Sequence, residues 1–284
     1  MTAADTLPVV RTIADLRHTL NDWRRQGFTV GFVPTMGALH EGHLTLVHEA
    51  VRRADRVIAS VFVNPTQFAA HEDLGTYPRQ EARDAELLAG AGCALLYAPS
   101  VEEMYPAGST TTVSVGGPAE GLEGAFRPQM FGGVALVVGK LLNQVQPDVA
   151  VFGEKDWQQL MVVRRMVRDL DVPVEIVGSP TERDGHGLAL SSRNAYLSEA
   201  ELAVARKLNG VLAEAGSRAP QGVAEAEAWA ATALAKAGFD SVDYVAIRRA
   251  DDLTAFEGVL DAPARILAAA RIGKTRLIDN MAIG

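Results

Sequence analysis

Along the first 180 residues, short continuous apolar runs alternate with segments whose apolar positions recur every three to four residues. The runs are TVGFVPT (29–35), RVIASVFV (56–63), CALLYA (93–98), DVAVFGE (148–154) and VEIVGSPT (174–181). They are continuous rather than alternating, the pattern of strands covered on both faces. Helical periodicity fills the intervals, predicting helices over 12–26, 43–54, 80–91, 131–146 and 157–170. The fourth carries Val134, Val137, Val138, Leu141, Leu142 and Val145 on one stripe, a packing surface. Strand–helix alternation of this kind predicts a doubly wound parallel α/β sheet, with ligands beyond the carboxyl ends of its strands.

After about residue 181 the pattern changes. Residues 198–238 are rich in Ala and Glu and predict two helices, joined at GSRAPQG where Gly and Pro punctuate the chain. SVDYVAIRRA, ARILAAARIG and KTRLIDNMAI then predict three short strands of a small α+β unit. The expected domains are 1–181 and 182–284, divided within SPTERDGHG.

Composition narrows the class. Twenty-seven Lys and Arg stand against 35 Asp and Glu, a net charge of −8, which favours solubility and offers no broad basic face for nucleic acid or anionic membrane. An anionic small ligand stays compatible, because a few local groups hold a phosphate. The single cysteine, Cys93, forbids an intramolecular disulfide and sits in a run that predicts a core position. The first ten residues lack a basic start followed by an apolar stretch. No 18-residue uncharged apolar stretch occurs, and a cytoplasmic protein is expected.

The sharpest chemical feature is PTMGALHEGHLTLV, 34–47. A strand ends, glycines permit close turns, and an apolar-periodic helix begins near His43. Such a unit favours phosphate through its exposed N–H groups and helix dipole, and two imidazoles on it can donate to phosphoryl oxygens. Other motifs fit less well. His-Glu-Gly-His is one residue short of the His-Glu-x-x-His zinc motif, and His43-Leu44 stands where a phosphate loop needs Lys-Ser/Thr. Gly273-Lys274-Thr275 lacks the upstream glycine, and no G-x-G-x-x-G occurs.

His40-Glu41-Gly42-His43 resembles the His-x-Gly-His signature of the class I nucleotidyltransferases. Together PTMGALHEGH, VNPTQF, FGEKDWQQL and LALSSRN, in that order and ending at TRLIDN, resemble the pantothenate synthetase (pantoate–β-alanine ligase) family along essentially the whole chain. The resemblance implies a Rossmann-like first domain, a smaller α+β lid, a homodimer, and ATP and Mg²⁺ as substrate and cofactor. It implies attack of the pantoate carboxylate on the α-phosphate of ATP, then displacement of AMP by the amine of β-alanine. His40, His43 and Lys155 are the implied catalytic residues, with His43 as proton donor. The implied ATP site comprises Met36, Gly37, Ala38, Leu39, His40, Glu41, Gly42 and His43, then Gly153, Glu154, Lys155 and Asp156, and finally Glu182, Leu190, Ser191, Ser192 and Arg193. Gln67, Gln159 and Asn64 are assigned to pantoate and β-alanine, and Asp84 to the metal. His40, His43, Lys155 and Arg193 are expected to make one locally cationic site.

Several positions depart from the family pattern. Met130 stands where a histidine is usual and Gln129 where a glycine is usual, His186 replaces an aspartate, and Arg249 replaces another. These changes are expected to surround the second-substrate side. They keep open a related adenylate-forming ligase with another acid or amine, nucleotidyl transfer without amide formation, and a non-catalytic nucleotide-binding relative.

Overall fold

The computed structural model describes residues 6–69 and 72–284; His71, expected at the surface, lies outside them. In chain order the first part holds β1 (Val9–Val10), α1 (Ile13–Arg25), β2 (Val30–Thr35), α2 (Glu41–Val51), β3 (Arg56–Val61), α3 (Glu81–Gly90) and β4 (Leu95–Tyr97). It continues through α4 (Val101–Met104), α5 (Glu123–Phe126), α6 (Met130–Val145), β5 (Val149–Gly153), α7 (Trp157–Asp169) and β6 (Glu175–Ser179). The six strands form one parallel sheet in the order β1-β4-β3-β2-β5-β6.

Both faces of this sheet are covered, which explains the continuous apolar runs. Val30 and Phe32 of β2 enter one core with α1, α6 and α7, whereas Val33 enters the other with α2 and α3. All six stripe residues of α6 are buried in the first core. Thr12 caps α1 by accepting from the Asp15 N–H at 3.1 Å. Near its other end, Arg24 donates to the carbonyls of Val145 and Gln146 at 2.7 and 2.9 Å, placing a cation where the α6 dipole is negative. Cys93 is buried as expected, and burial pushes its thiol up to about 11. The edge strand β1 escapes the sequence pattern because two residues establish no period.

The second part holds α8 (Glu199–Ala205), α9 (Lys207–Arg218), α10 (Val223–Ala237), β7 (Ser241–Arg249), β8 (Ala264–Ile272) and β9 (Thr275–Ile283). The strands form an antiparallel sheet in the order β7-β8-β9, with the helices packed on it around Leu208, Leu212, Leu234 and Ile266. Two helices were expected across 198–238 and three are present. The first is interrupted at Arg206, whose guanidinium turns to Asp184 at 2.9 Å. The two sheets meet through Leu267 of β8, which enters the first core, and through polar contacts. Arg276 of β9 grips buried Glu123 of α5 with two 2.7 Å bonds, and the Tyr244 hydroxyl donates to the same carboxylate at 2.8 Å.

Candidate active site

Without its short edge strand, the parallel sheet runs β4-β3-β2-β5-β6, and its order reverses between β2 and β5. At such a switch point the loops leaving adjacent strands part in opposite directions and open a crevice at the carboxyl ends. Here the departing loops are Met36–His40 and Glu154–Asp156. A cleft of about 580 Å³ lies between them and the second sheet. It is bordered by Met36, His40, Gly42, His43, Gly153, Lys155 and Asp156 from this sheet. From the connecting segment come Glu182, Leu190, Ser191, Ser192 and Arg193.

The loop after β2 is tightly folded. Gly37 and Ala38 both have positive φ, 82° and 53°, and the second is a strained setting for a residue with a Cβ. Buried Asp84 holds it there: its carboxylate accepts the N–H groups of Ala38 and Leu39 at 3.0 and 2.9 Å. The loop then delivers His40 as the N-cap of α2, with its ring 4.1 Å from that of His43. Gly42 permits this approach, since a Cβ there would lie 3.0 Å from Cε1 of His40.

The two imidazoles are neutral at neutral pH. Burial, followed by the positive charge of Lys155, lowers His40 to about 4. Burial and then His40 itself lower His43 to about 3. The His40 backbone N–H donates to Nδ1 of His43 at 3.3 Å, so the proton of that ring resides on Nε2. His43 is therefore equipped to donate a hydrogen bond, not to act as a resident imidazolium. This corrects the expectation that the histidines supply positive charge. The cations bordering the cleft are Lys155, Arg193, Arg127, Arg271, Lys274 and Arg276.

On the opposite wall, the Pro65–Gln67 turn packs against α6. Gly133 lies so close that a Cβ there would sit 2.4 Å from the Thr66 carbonyl. Gln67 borders the cleft, and its amide nitrogen rests 3.3 Å from the Met36 sulfur. Gln159 borders it from α7. The neighbouring Gln158 is buried and bonded to Pro118, Gly121 and Glu123, so only one of the adjacent glutamines faces the site.

The chain matches the profile of a family described as Pantoate-beta-alanine ligase over residues 8–282. It is 59% identical to the pantothenate synthetase of Caulobacter vibrioides, covering 97% of this chain and 98% of that one. The chain belongs to the pantoate–β-alanine ligase family. Its fold superposes on the pantothenate synthetase of Thermus thermophilus with a TM-score of 0.91 at 49% identity, covering 98% and 99% of the two chains. The Francisella tularensis pantoate–β-alanine ligase, complexed with "Beta-gamma ATP and Beta-alanine", matches with a TM-score of 0.82 at 34% identity, covering 97% of each.

Within this ligase family framework several expectations need correction. Leu39 points into the core and Glu41 is exposed outside the cleft lining. Glu154 turns away to Arg265 at 3.0 Å. Asn64 is 1% exposed and its amide donates to Gln67 and to the Gly133 carbonyl, while its oxygen accepts from Tyr105 and Thr66. Asn64 borders the cleft beside Gln67, with both amide protons engaged within the protein. Asp84, engaged by two backbone N–H groups, does not fit a metal ligand. Among the described residues no cluster of three or more His, Cys, Asp or Glu side chains is arranged to hold an ion.

Of the departures, only Met130 borders the cleft, with Arg127 Nη1 2.7 Å from its sulfur. His186 and Gln129 are exposed elsewhere, and Arg249 pairs with Asp261 at the surface. They do not surround the second-substrate side. Sequence reasoning overlooked Arg127, Arg271, Lys274 and Arg276 as cleft residues. The β8–β9 hairpin brings the last three there, and its only sequence signal was a run of cations flanking Gly273.

Proposed function

We propose that the chain condenses pantoate with β-alanine at the expense of ATP, through pantoyl adenylate. The observation that carries the reading is the meeting of the His40–His43 turn and the Gly153–Asp156 turn across the β2/β5 switch point, with Gln67 and Gln159 on the same cleft. The first pair of segments suits a triphosphate, and the neutral amides suit a carboxylate that must remain free to attack. In the first step a pantoate carboxylate oxygen bonds to the α-phosphorus and pyrophosphate leaves. In the second the amine of β-alanine attacks the acyl carbon, AMP departs with the electron pair, and the amine loses a proton.

His43 Nε2–H and Lys155 stabilise the charge that develops on the phosphoryl oxygens. Ser191, Ser192 and Arg193 close on the nucleotide from the connecting segment, with residues 182–284 acting as a lid over 1–181. Mg²⁺ would be carried in on the phosphates of ATP, which it favours, and would share their negative charge; among the described residues no group of three or more His, Cys, Asp or Glu side chains could hold it. The reading extends to a cytoplasmic homodimer, as the family resemblance implies. No helix among the described residues is long and apolar enough to cross a membrane.

The test is stepwise. Pyrophosphate release should require only ATP and pantoate, and AMP release should require β-alanine as well. Lys155→Ala should lower turnover by about 10²–10³-fold, the usual loss for one electrostatic donor; a variant within tenfold of wild type removes that role. A panel of acids and amines, run on wild type and Met130→His, addresses the related ligase reading. Pantoate use by the mutant alone would overturn the substrate assignment.

A further inference from the structure

The C-terminal TRLIDN segment has no part in the chemistry proposed above, yet it lies against the segment that carries Lys155. Asn280 of β9 is 3% exposed and does not border the main cleft. Its amide nitrogen donates to two consecutive carbonyls, Glu154 at 3.0 Å and Lys155 at 2.8 Å. Its oxygen accepts from Nε of Arg265 at 2.5 Å. Arg265 in turn reaches the Glu154 carboxylate at 3.0 Å and stacks 3.5 Å over the Trp157 ring. The backbone N–H of Asn280 donates to Asp279, and Arg183 grips Asp279 with bonds of 2.7 and 2.9 Å. One buried carboxamide therefore bridges the second sheet to both carbonyls at the base of the lysine side chain.

We infer that Asn280 is a positioning residue for the first chemical step, fixing the backbone from which Lys155 reaches the phosphates. The inference rests on the role given to Lys155 above. A side chain with four rotatable bonds reaches a reacting atom reproducibly only if its anchor is fixed. Misplacement by about 1 Å from a change remote from the chemistry can lower the rate about 10²-fold. The side chain that makes these two bonds comes from the other sheet.

Asn280→Asp is the informative variant. It keeps the shape and the acceptor for Arg265 but replaces the donor with an oxygen facing two carbonyls. Pyrophosphate release from ATP and pantoate is measured for wild type, Asn280→Asp, Lys155→Ala and the double variant, with thermal unfolding followed in parallel. The single Asn280→Asp change should lower the rate of this step by about 10–10²-fold, and the KM for β-alanine, read in the complete reaction, should stay within about twofold. In the Lys155→Ala background it should change the residual rate by less than about threefold, because its effect passes through the lysine.

A full and multiplicative loss in the double variant would overturn the inference, as would an Asn280→Asp enzyme within twofold of wild type. If Asn280→Asp and Asn280→Ser both fail to fold, Asn280 belongs to the fold rather than to the site, and the inference falls. Failure of the Lys155 role itself is distinguishable, because Lys155→Ala alone would then stay within tenfold of wild type.

Discussion

Replacing Asp84 with asparagine tests how the loop after β2 is held. The carboxylate accepts two buried N–H groups, from Ala38 at 3.0 Å and Leu39 at 2.9 Å, and bonds to a charged acceptor contribute about 1.5–3 kcal/mol each. Asparagine retains one acceptor and turns an NH₂ group toward the other N–H. The opposing term is local: Ala38 at φ 53° costs about 1–2 kcal/mol relative to the right-handed region. With the clamp weakened, this strain would reduce the competent loop to roughly 3–16% of molecules. The apparent Kd for ATP would rise about 6–30-fold in proportion.

Calorimetric titration at matched Mg²⁺ measures that ratio. Adding Ala38→Gly should recover part of the loss, since glycine enters the left-handed region without the Cβ penalty. An ATP affinity within twofold of wild type would refute the reasoning. A defect abolished by excess Mg²⁺ would also refute it, because Asp84 would then act through the metal.

Three further outcomes follow from buried groups. His40 and His43 have folded pKa values below the unfolded value of 6.5, so their contribution to stability is complete above pH 6.5. It is lost as pH falls towards 3–4, because the unfolded chain takes up the protons first. Unfolding free energies from urea titrations should decline over that window by up to about 1.4 kcal/mol per pH unit for His43, and His43→Asn should flatten the decline. Glu123→Ala should destabilise by about 1–3 kcal/mol, since it removes two bonds from half-buried Arg276, which keeps Asp243, and leaves the Tyr244 hydroxyl unpaired; equilibrium denaturation reads this, and a loss below about 0.5 kcal/mol would contradict it. Cys93 should resist a thiol reagent in the folded state and yield one equivalent in denaturant, because burial raises its pKa to about 11.

The strands and long helices were legible because each is held by short-period patterning, and α6 announced its buried face by spacing alone. Asp84 and Asn64 were not legible in their roles. An acidic or amide side chain reads the same in sequence whether it faces a ligand or a backbone N–H. The distinction arises from neighbours 46 and 69 residues away, Ala38 and Gly133. The histidine pair was found, but its neutral state depends on burial beneath the cleft, which motif spacing does not report. Arg271, Lys274 and Arg276 were missed as cleft residues for a related reason. Only the antiparallel hairpin turns their strand toward a site built more than 100 residues earlier.

Gly133 carries a consequence for engineering. An interior glycine lowers helix stability by about 0.5–1 kcal/mol relative to alanine, and α6 has 16 residues. A redesign for heat resistance would substitute it early. The added methyl would lie 2.4 Å from the Thr66 carbonyl and 2.7 Å from the Gln67 nitrogen, displacing the turn that presents Gln67. Helix propensity and the placement of Gln67 therefore compete at a single missing carbon, and a redesign guided by propensity alone would disturb the cleft wall.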